Sequence, residues 1–182
     1  MPNDIKELIV NPQHPLFDKT GMFFKEFPSD FRQIRYFTLL IVQKAPPEIK
    51  ELNLLEQQIS EVIKNAVKHG NHSNPEKKIR VWYSFSTAHA HIIVEDQGEG
   101  FQGIETWNAF NRKRVECFVA QNFEDLAQYV SYKTPRSDDH DGGNAMFAAV
   151  EYWNDGVVYD TPRTSVAVGK TFQQRRHGVE IL

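Results

Sequence analysis

One run, residues 50–70, constrains the fold more than any other. Leu52, Leu55, Ile59, Val62, Ile63 and Ala66 recur at three- and four-residue spacing, the pattern of a helix that buries one face. Gly70, followed by Asn71, reads as its C-terminal stop. Such a helix needs an apolar partner, and the next segments supply a sheet. In 78–85, Ile79, Val81, Tyr83 and Phe85 alternate with Arg80, Trp82 and Ser84. A second strand over 90–95 follows, and the residues around Thr87 and Ala88 suit a hairpin.

The flanks extend the pattern. Residues 22–27 predict a short aromatic strand ended by Pro28, after which Ser29 or Asp30 caps a helix carrying Phe31, Ile34, Phe37, Leu40 and Ile41. Ala45-Pro46-Pro47 stops it. A helix over 144–153 and strands over 157–159 and 165–172 close the chain. Between them, residues 97–143 hold glycines, many charges and patchy apolar spacing, and read as a lid. Residues 1–21, broken by Pro2, Pro12 and Pro15, read as an arm outside one domain, 22–182. Strands and helices that do not strictly alternate predict an α+β, two-layer sandwich, a mixed sheet with helices on one face.

Composition narrows the function classes. The chain has 182 residues, a net charge of −3 and 40% hydrophobic residues, with mean hydropathy −0.53 and a pI near 6.2. A dedicated nucleic-acid binder would be basic, so no direct nucleic-acid partner is expected. One cysteine, Cys117, forms no internal disulfide. No stretch approaches the ~20 apolar residues of a membrane span. The expectation is a cytoplasmic domain.

The chemistry concentrates in two places. Glu61, Asn65 and His69 recur every four residues on a polar stripe of the long helix. About thirty residues later, Val94-Glu95-Asp96-Gln97-Gly98-Glu99-Gly100-Phe101 leaves a strand and enters a D-x-G-x-G turn. Glycines there let backbone approach a ligand closely, and an aspartate at a strand end can accept a hydrogen bond from an exocyclic amine.

In this order, Glu61-Val62-Ile63-Lys64-Asn65-Ala66-Val67-Lys68-His69-Gly70 and Glu95 to Phe101 resemble the N-box and first glycine box of the histidine-kinase-like (GHKL) ATPase superfamily. Within it the chain looks most like the anti-sigma factor serine/threonine-protein kinases of bacterial partner switching, over roughly 22–172. The glutamate opening the N-box separates serine kinases from sensor histidine kinases. The resemblance implies ATP and Mg²⁺, with Asn65 as the metal ligand and Glu61 as the base that takes a serine proton. It implies Asp96 on the adenine amine, Gly98 and Gly100 in the pocket wall, and Thr164 or Ser165 near the adenine. Gly142 and Gly143 would approach the phosphates, with Lys68 and His69 completing the nucleotide-binding set. Lys68 equally suits the helix dipole. A sigma factor and an antagonist protein are the implied partners, and a homodimer the implied assembly.

The sequence departs from the family in two motifs. Gly142-Gly143-Asn144-Ala145 has an alanine where another glycine is expected, and Arg163 precedes Thr164 where a glycine is usual. The lid is also long. These departures motivate a second reading, a non-catalytic nucleotide-binding or protein-interaction module of the same fold. A third is nucleotide hydrolysis driving a lid motion. Arg112, Lys113 and Arg114 read as a solvated charge run or as contacts to phosphate or an acidic partner. The pairs His69/His72 and His89/His91 lack a third ligand for zinc.

Overall fold

A computed structural model describes residues 5–129, 131–132 and 144–173. Among the described residues six strands form one mixed sheet: β1 (Ile9–Val10), β2 (Phe23–Pro28), β3 (Lys78–Phe85), β4 (His89–Glu95), β5 (Gly156–Tyr159) and β6 (Ser165–Thr171). Their order is β1-β5-β6-β4-β3-β2. Only β1 with β5 is parallel; the other four pairs are antiparallel. The helices are α1 (Ile34–Val42), α2 (Leu52–Lys64), α3 (Ile104–Val119), α4 (Phe123–Leu126) and α5 (Asn144–Tyr152). The expected α+β sandwich is the fold.

Alternation decides which face is covered. Ile79, Val81, Tyr83, Ile92, Val94, Val157, Tyr159 and Val168 join one core with Phe37 and Ile41 of α1, six residues of the α2 run, Trp107 of α3 and Val150 of α5. Asp30 caps the turn leading into α1, accepting from Arg32 N at 3.0 Å. Ser29, the other candidate cap, is instead fully buried and donates to Lys77 O.

The arm turns out to be part of the fold. β1 lies at one edge of the sheet and β2 at the other, so residues 11–22 must cross the whole sheet. They do so on the face opposite the helices. Leu16 fills the space over Gly169, where a Cβ would lie 2.8 Å from its Cδ2. His91 Nε2 donates to Leu16 O, and Lys19 Nζ sits 3.7 Å above the Trp82 ring. Ile93, Val158 and Ala167, on that same face, are completely buried. Leu8, 3% exposed, packs into the main core.

The expected lid segment also contributes to the core. Its 16-residue helix α3 buries Ile104, Trp107 and Asn111. Asn108 exchanges two hydrogen bonds with the backbone of Leu8, and Asn111 donates to Lys6 O. The basic run is paired: Arg112 with Glu7, Lys113 with Glu116, and Arg114 over the Phe147 ring at 4.3 Å. No helix among the described residues is long and apolar enough to cross a membrane.

Candidate functional site

Three loops and one helix end meet at one end of the sheet. α2 does not stop in an α-helical cap. It continues as a π-helical turn, Asn65–Gly70, closed by Asn71 N donating to Ala66 O. Such turns recur at functional sites. Gly70 therefore serves close approach, not a left-handed stop, and its φ is not positive. A Cβ on Gly70 would lie 2.4 Å from the Asp96 carboxylate. A Cβ on Gly98 would lie 2.0 Å from Gly70 O, and one on Gly100 2.1 Å from Pro162 O. The glycines of the two sequence motifs are thus interlocked with each other and with the turn after β5. Asn65 sits one π-turn before Gly70, and Glu61 a turn earlier.

Asp96 is half-buried at the end of β4. Its N–H donates to Thr164 O at 2.9 Å, and its Oδ1 accepts from Gly98 N at 2.8 Å. Desolvation pushes its carboxyl above the ordinary range, the Gly98 bond opposes this, and the charges of Asp160 and Glu95 add to it. Asp160 Oδ1 accepts from both Thr164 N and Ser165 N. Tyr159, 7% exposed, lies 5.4 Å from the Phe101 ring. Burial, and secondarily the Asp96 charge, raise its phenol.

The two hydroxyl candidates separate. Thr164 shares the parity of Val166 and Val168, the helix side of β6, as Asp96 shares that of Ile92 and Val94. Ser165 has the opposite parity and donates to Glu95 Oε2 at 3.3 Å. Thr164 is therefore the hydroxyl on the Asp96 side. Arg163 has φ +63, the left-handed region where glycine is favoured. Its carbonyl accepts from Phe101 N, and its guanidinium reaches Glu105 of α3 at 2.8 Å.

The remaining expected residues are placed unevenly. Glu61 is part-exposed, 3.8 Å from Lys64 Nζ, and its Oε2 is buried with no hydrogen-bond partner among the described residues. Lys68 Nζ lies 6.0 Å from the Phe31 ring, and His69 is exposed. Gly142 and Gly143 fall outside the described residues. No group of three or more His, Cys, Asp or Glu side chains gathers for a metal among the described residues. A cavity of about 690 Å³ between α1 and α2, lined by Arg35, Glu56 and Ser60 among others, contains none of the expected site residues.

Sequence reasoning missed Asn71. It is completely buried. Its Nδ2 donates to Ser29 Oγ at 2.8 Å and Lys78 O at 3.0 Å, and its Oδ1 accepts from Gln97 N at 2.7 Å. This side chain ties the end of the α2 run to β3 and to the loop carrying Asp96 and Gly98.

The raised carboxyl yields a testable trade. A folded pKa above the unfolded value means the native state holds its proton over a pH window in which the unfolded state has released it. Asp96 thus adds stability at low pH and loses it as pH rises through its folded pKa. Asp96→Asn, which keeps an acceptor for Gly98 N, should melt higher than wild type at pH 7. The difference should shrink as pH falls through the window, and thermal melts across pH check it. Equal melting at pH 7 would refute the burial argument.

The residues fit a nucleotide with its metal in two respects. Gly70, Gly98 and Gly100 let the helix end, the turn after β4 and the turn after β5 pack closely enough to hold Asn65, Asp96 and Thr164 at one end of the sheet, and Asn65 offers the neutral oxygen that suits Mg²⁺ alongside phosphate oxygens. No curated protein matches the chain. The histidine kinase-like ATPase domain matches residues 25–147, well over half of the chain, a span that holds Glu61, Asn65, Asp96 and both glycines of the turn. With this fold and these motifs interlocked, the chain belongs to the histidine kinase-like ATPase domain family and is an ATP-binding module of that type.

Proposed function

We propose that the protein is a serine kinase of the anti-sigma factor type. It binds a sigma factor on one surface, phosphorylates a serine of a small antagonist protein, and works as a homodimer in the cytoplasm. The observation that carries this reading is Glu61. Its carboxylate stands one turn before Asn65 on the same stripe, and its buried Oε2 accepts no hydrogen bond among the described residues and has only the Lys64 ammonium, at 3.8 Å. A base needs that freedom to take a hydroxyl proton.

Asn65 would hold Mg²⁺, which when bound neutralises phosphate charge and orients the phosphates. Asp96 and Thr164 would recognise the adenine edge. Gly98 and Gly100, by letting the Asp96 loop pack on Gly70 and Pro162, would hold the pocket wall in place. The test combines calorimetry with a transfer assay using Mg-ATP and a serine-bearing antagonist. Wild type should transfer phosphate to serine. Asn65→Ala should weaken Mg-dependent ATP binding by about tenfold or more, since a contact to a charged group is worth roughly 1.5–3 kcal/mol. Binding of ATP without any transfer to an antagonist would overturn the kinase reading and leave a nucleotide-binding module.

A further inference from the structure

Residues 6–11 bridge two elements that flank the candidate site. On one side lies α3. Leu8 N donates to Asn108 Oδ1 at 2.8 Å, and Asn108 Nδ2 donates back to Leu8 O at 2.9 Å. Asn111 Nδ2 donates to Lys6 O at 3.2 Å, and Arg112 pairs with Glu7. On the other side lies β5. Ile9 and Val10 pair with Val158 and Tyr159, and Asn11 N donates to Tyr159 O at 2.9 Å. The family match begins at residue 25, so this bridge lies outside the matched span.

Both sides lead to the turn after β5. Asp160 in that turn holds the backbone of Thr164 and Ser165, and Arg163 O accepts from Phe101 N at 2.9 Å. From the same turn, Arg163 Nη2 reaches Glu105 Oε1 on α3 at 2.8 Å. Glu105, Asn108 and Arg112 recur at three- and four-residue spacing, one stripe along the helix. The contacts close a ring that runs from residues 6–11 through β5, the turn and Arg163 to α3, and back to residues 6–8. Arg163 completes it at φ +63, a backbone setting that strains an arginine and not a glycine. Its ion pair is partly exposed and adds little to stability. Fold stability thus does not favour an arginine here; what the side chain supplies is the link between the turn and α3.

We propose that residues 6–11 brace the nucleotide site by holding α3 against the turn that presents Thr164, with Asn108 and Arg163 as its positioning residues. This inference rests on the adenine edge meeting Asp96 and Thr164. α3 starts just beyond Phe101, at the end of the Asp96 loop, so fixing α3 against the turn fixes the loop and the turn relative to each other. A site ordered before the ligand arrives binds more tightly than one that binding must order.

The experiment uses the full chain, with ATP calorimetry at a temperature where every variant is folded, and thermal melts beside it. Arg163→Gly and Glu105→Gln should each weaken ATP binding about threefold to fivefold, the ceiling for a partly exposed ion pair. Arg163→Gly should do so while melting at or above the wild-type temperature, because the left-handed strain is relieved. A merely structural residue would not move affinity and melting in opposite directions. Asn108→Ala should weaken binding about tenfold, in line with two hydrogen bonds of ordinary net strength. The double variant Arg163→Gly with Asn108→Ala should bind no more weakly than Asn108→Ala, since both changes open one ring. Wild-type affinity in Arg163→Gly and Glu105→Gln would overturn the brace. Weakening in Arg163→Gly but not in Glu105→Gln would put Arg163 on the nucleotide itself, and losses that multiply in the double variant would make the two contacts independent; either result overturns it. Asp96→Ala that binds ATP like wild type would fail the adenine placement first, and this inference with it.

Discussion

Glu61→Gln is expected to lower phosphoryl transfer to the antagonist by about 10²–10⁴-fold, the range for a lost general base. ATP affinity should stay within about twofold, because the lost group meets the acceptor hydroxyl and not the nucleotide. The amide is the same size, so α2 keeps its packing, and the i,i+3 pair with Lys64 at 3.8 Å is a partly exposed contact that contributes little. Glu61→Asp should recover little of the rate, since the carboxylate would retreat by about one methylene and displacements of ~1 Å can cost about 10²-fold. Transfer assays at saturating ATP, with calorimetry on the same preparations, decide the matter. A Glu61→Gln protein that phosphorylates the antagonist at the wild-type rate would remove Glu61 from the chemistry.

What could be read from the sequence divides along physical lines. β3 and β4 were legible to within a residue because alternation is local and one face of each is buried. The α2 run was legible for the same reason at a different period. Its π-helical end was not, because apolar spacing does not distinguish an i,i+5 turn from an i,i+4 turn over six residues. Helix α3 escaped because its inward positions are Ile104, Trp107 and the polar Asn111. That face is partly covered by the backbone of residues 6–8, which broke the apolar pattern. The N-terminal segment escaped because its anchors, such as His91 on Leu16 and Asn108 on Leu8, are 75 and 100 residues away in sequence.

The site divides in the same way. Glu61, Asn65 and the D-x-G-x-G turn were legible as motifs in order, whereas Asn71 was read only as part of a helix stop. Its role depends on Ser29, 42 residues earlier, and Gln97, 26 residues later. Arg163 stands where the family motif has a glycine, and its φ of +63, which favours glycine, is seen only in the structure. Choosing Thr164 over Ser165 needed the register of β6 against β4.

Gly98→Ala should do the most damage for the fewest atoms. The added Cβ would lie 2.0 Å from Gly70 O and 2.7 Å from Gly70 C, and these are backbone atoms that no rotamer change can move aside. Relief requires the end of the α2 run and the Asp96 loop to separate. Asn71 resists that separation, bonded to Gln97 N and Lys78 O across the same junction. The cost should reach about 3 kcal/mol, the upper part of the overpacking range, which lowers melting by roughly 6–12 °C in a chain of this size. Any separation that does occur moves Asn65 and Asp96 apart, so Mg-ATP binding should fall below detection in calorimetry. Gly21→Ala is the matched control. Gly21 has φ +76 and nothing within 4 Å of an added Cβ, so it bears only left-handed strain of about 1–2 kcal/mol and should leave ATP binding intact. If Gly98→Ala binds Mg-ATP like wild type and melts no lower than Gly21→Ala, the helix end and the glycine turn are not the joined wall of one nucleotide site.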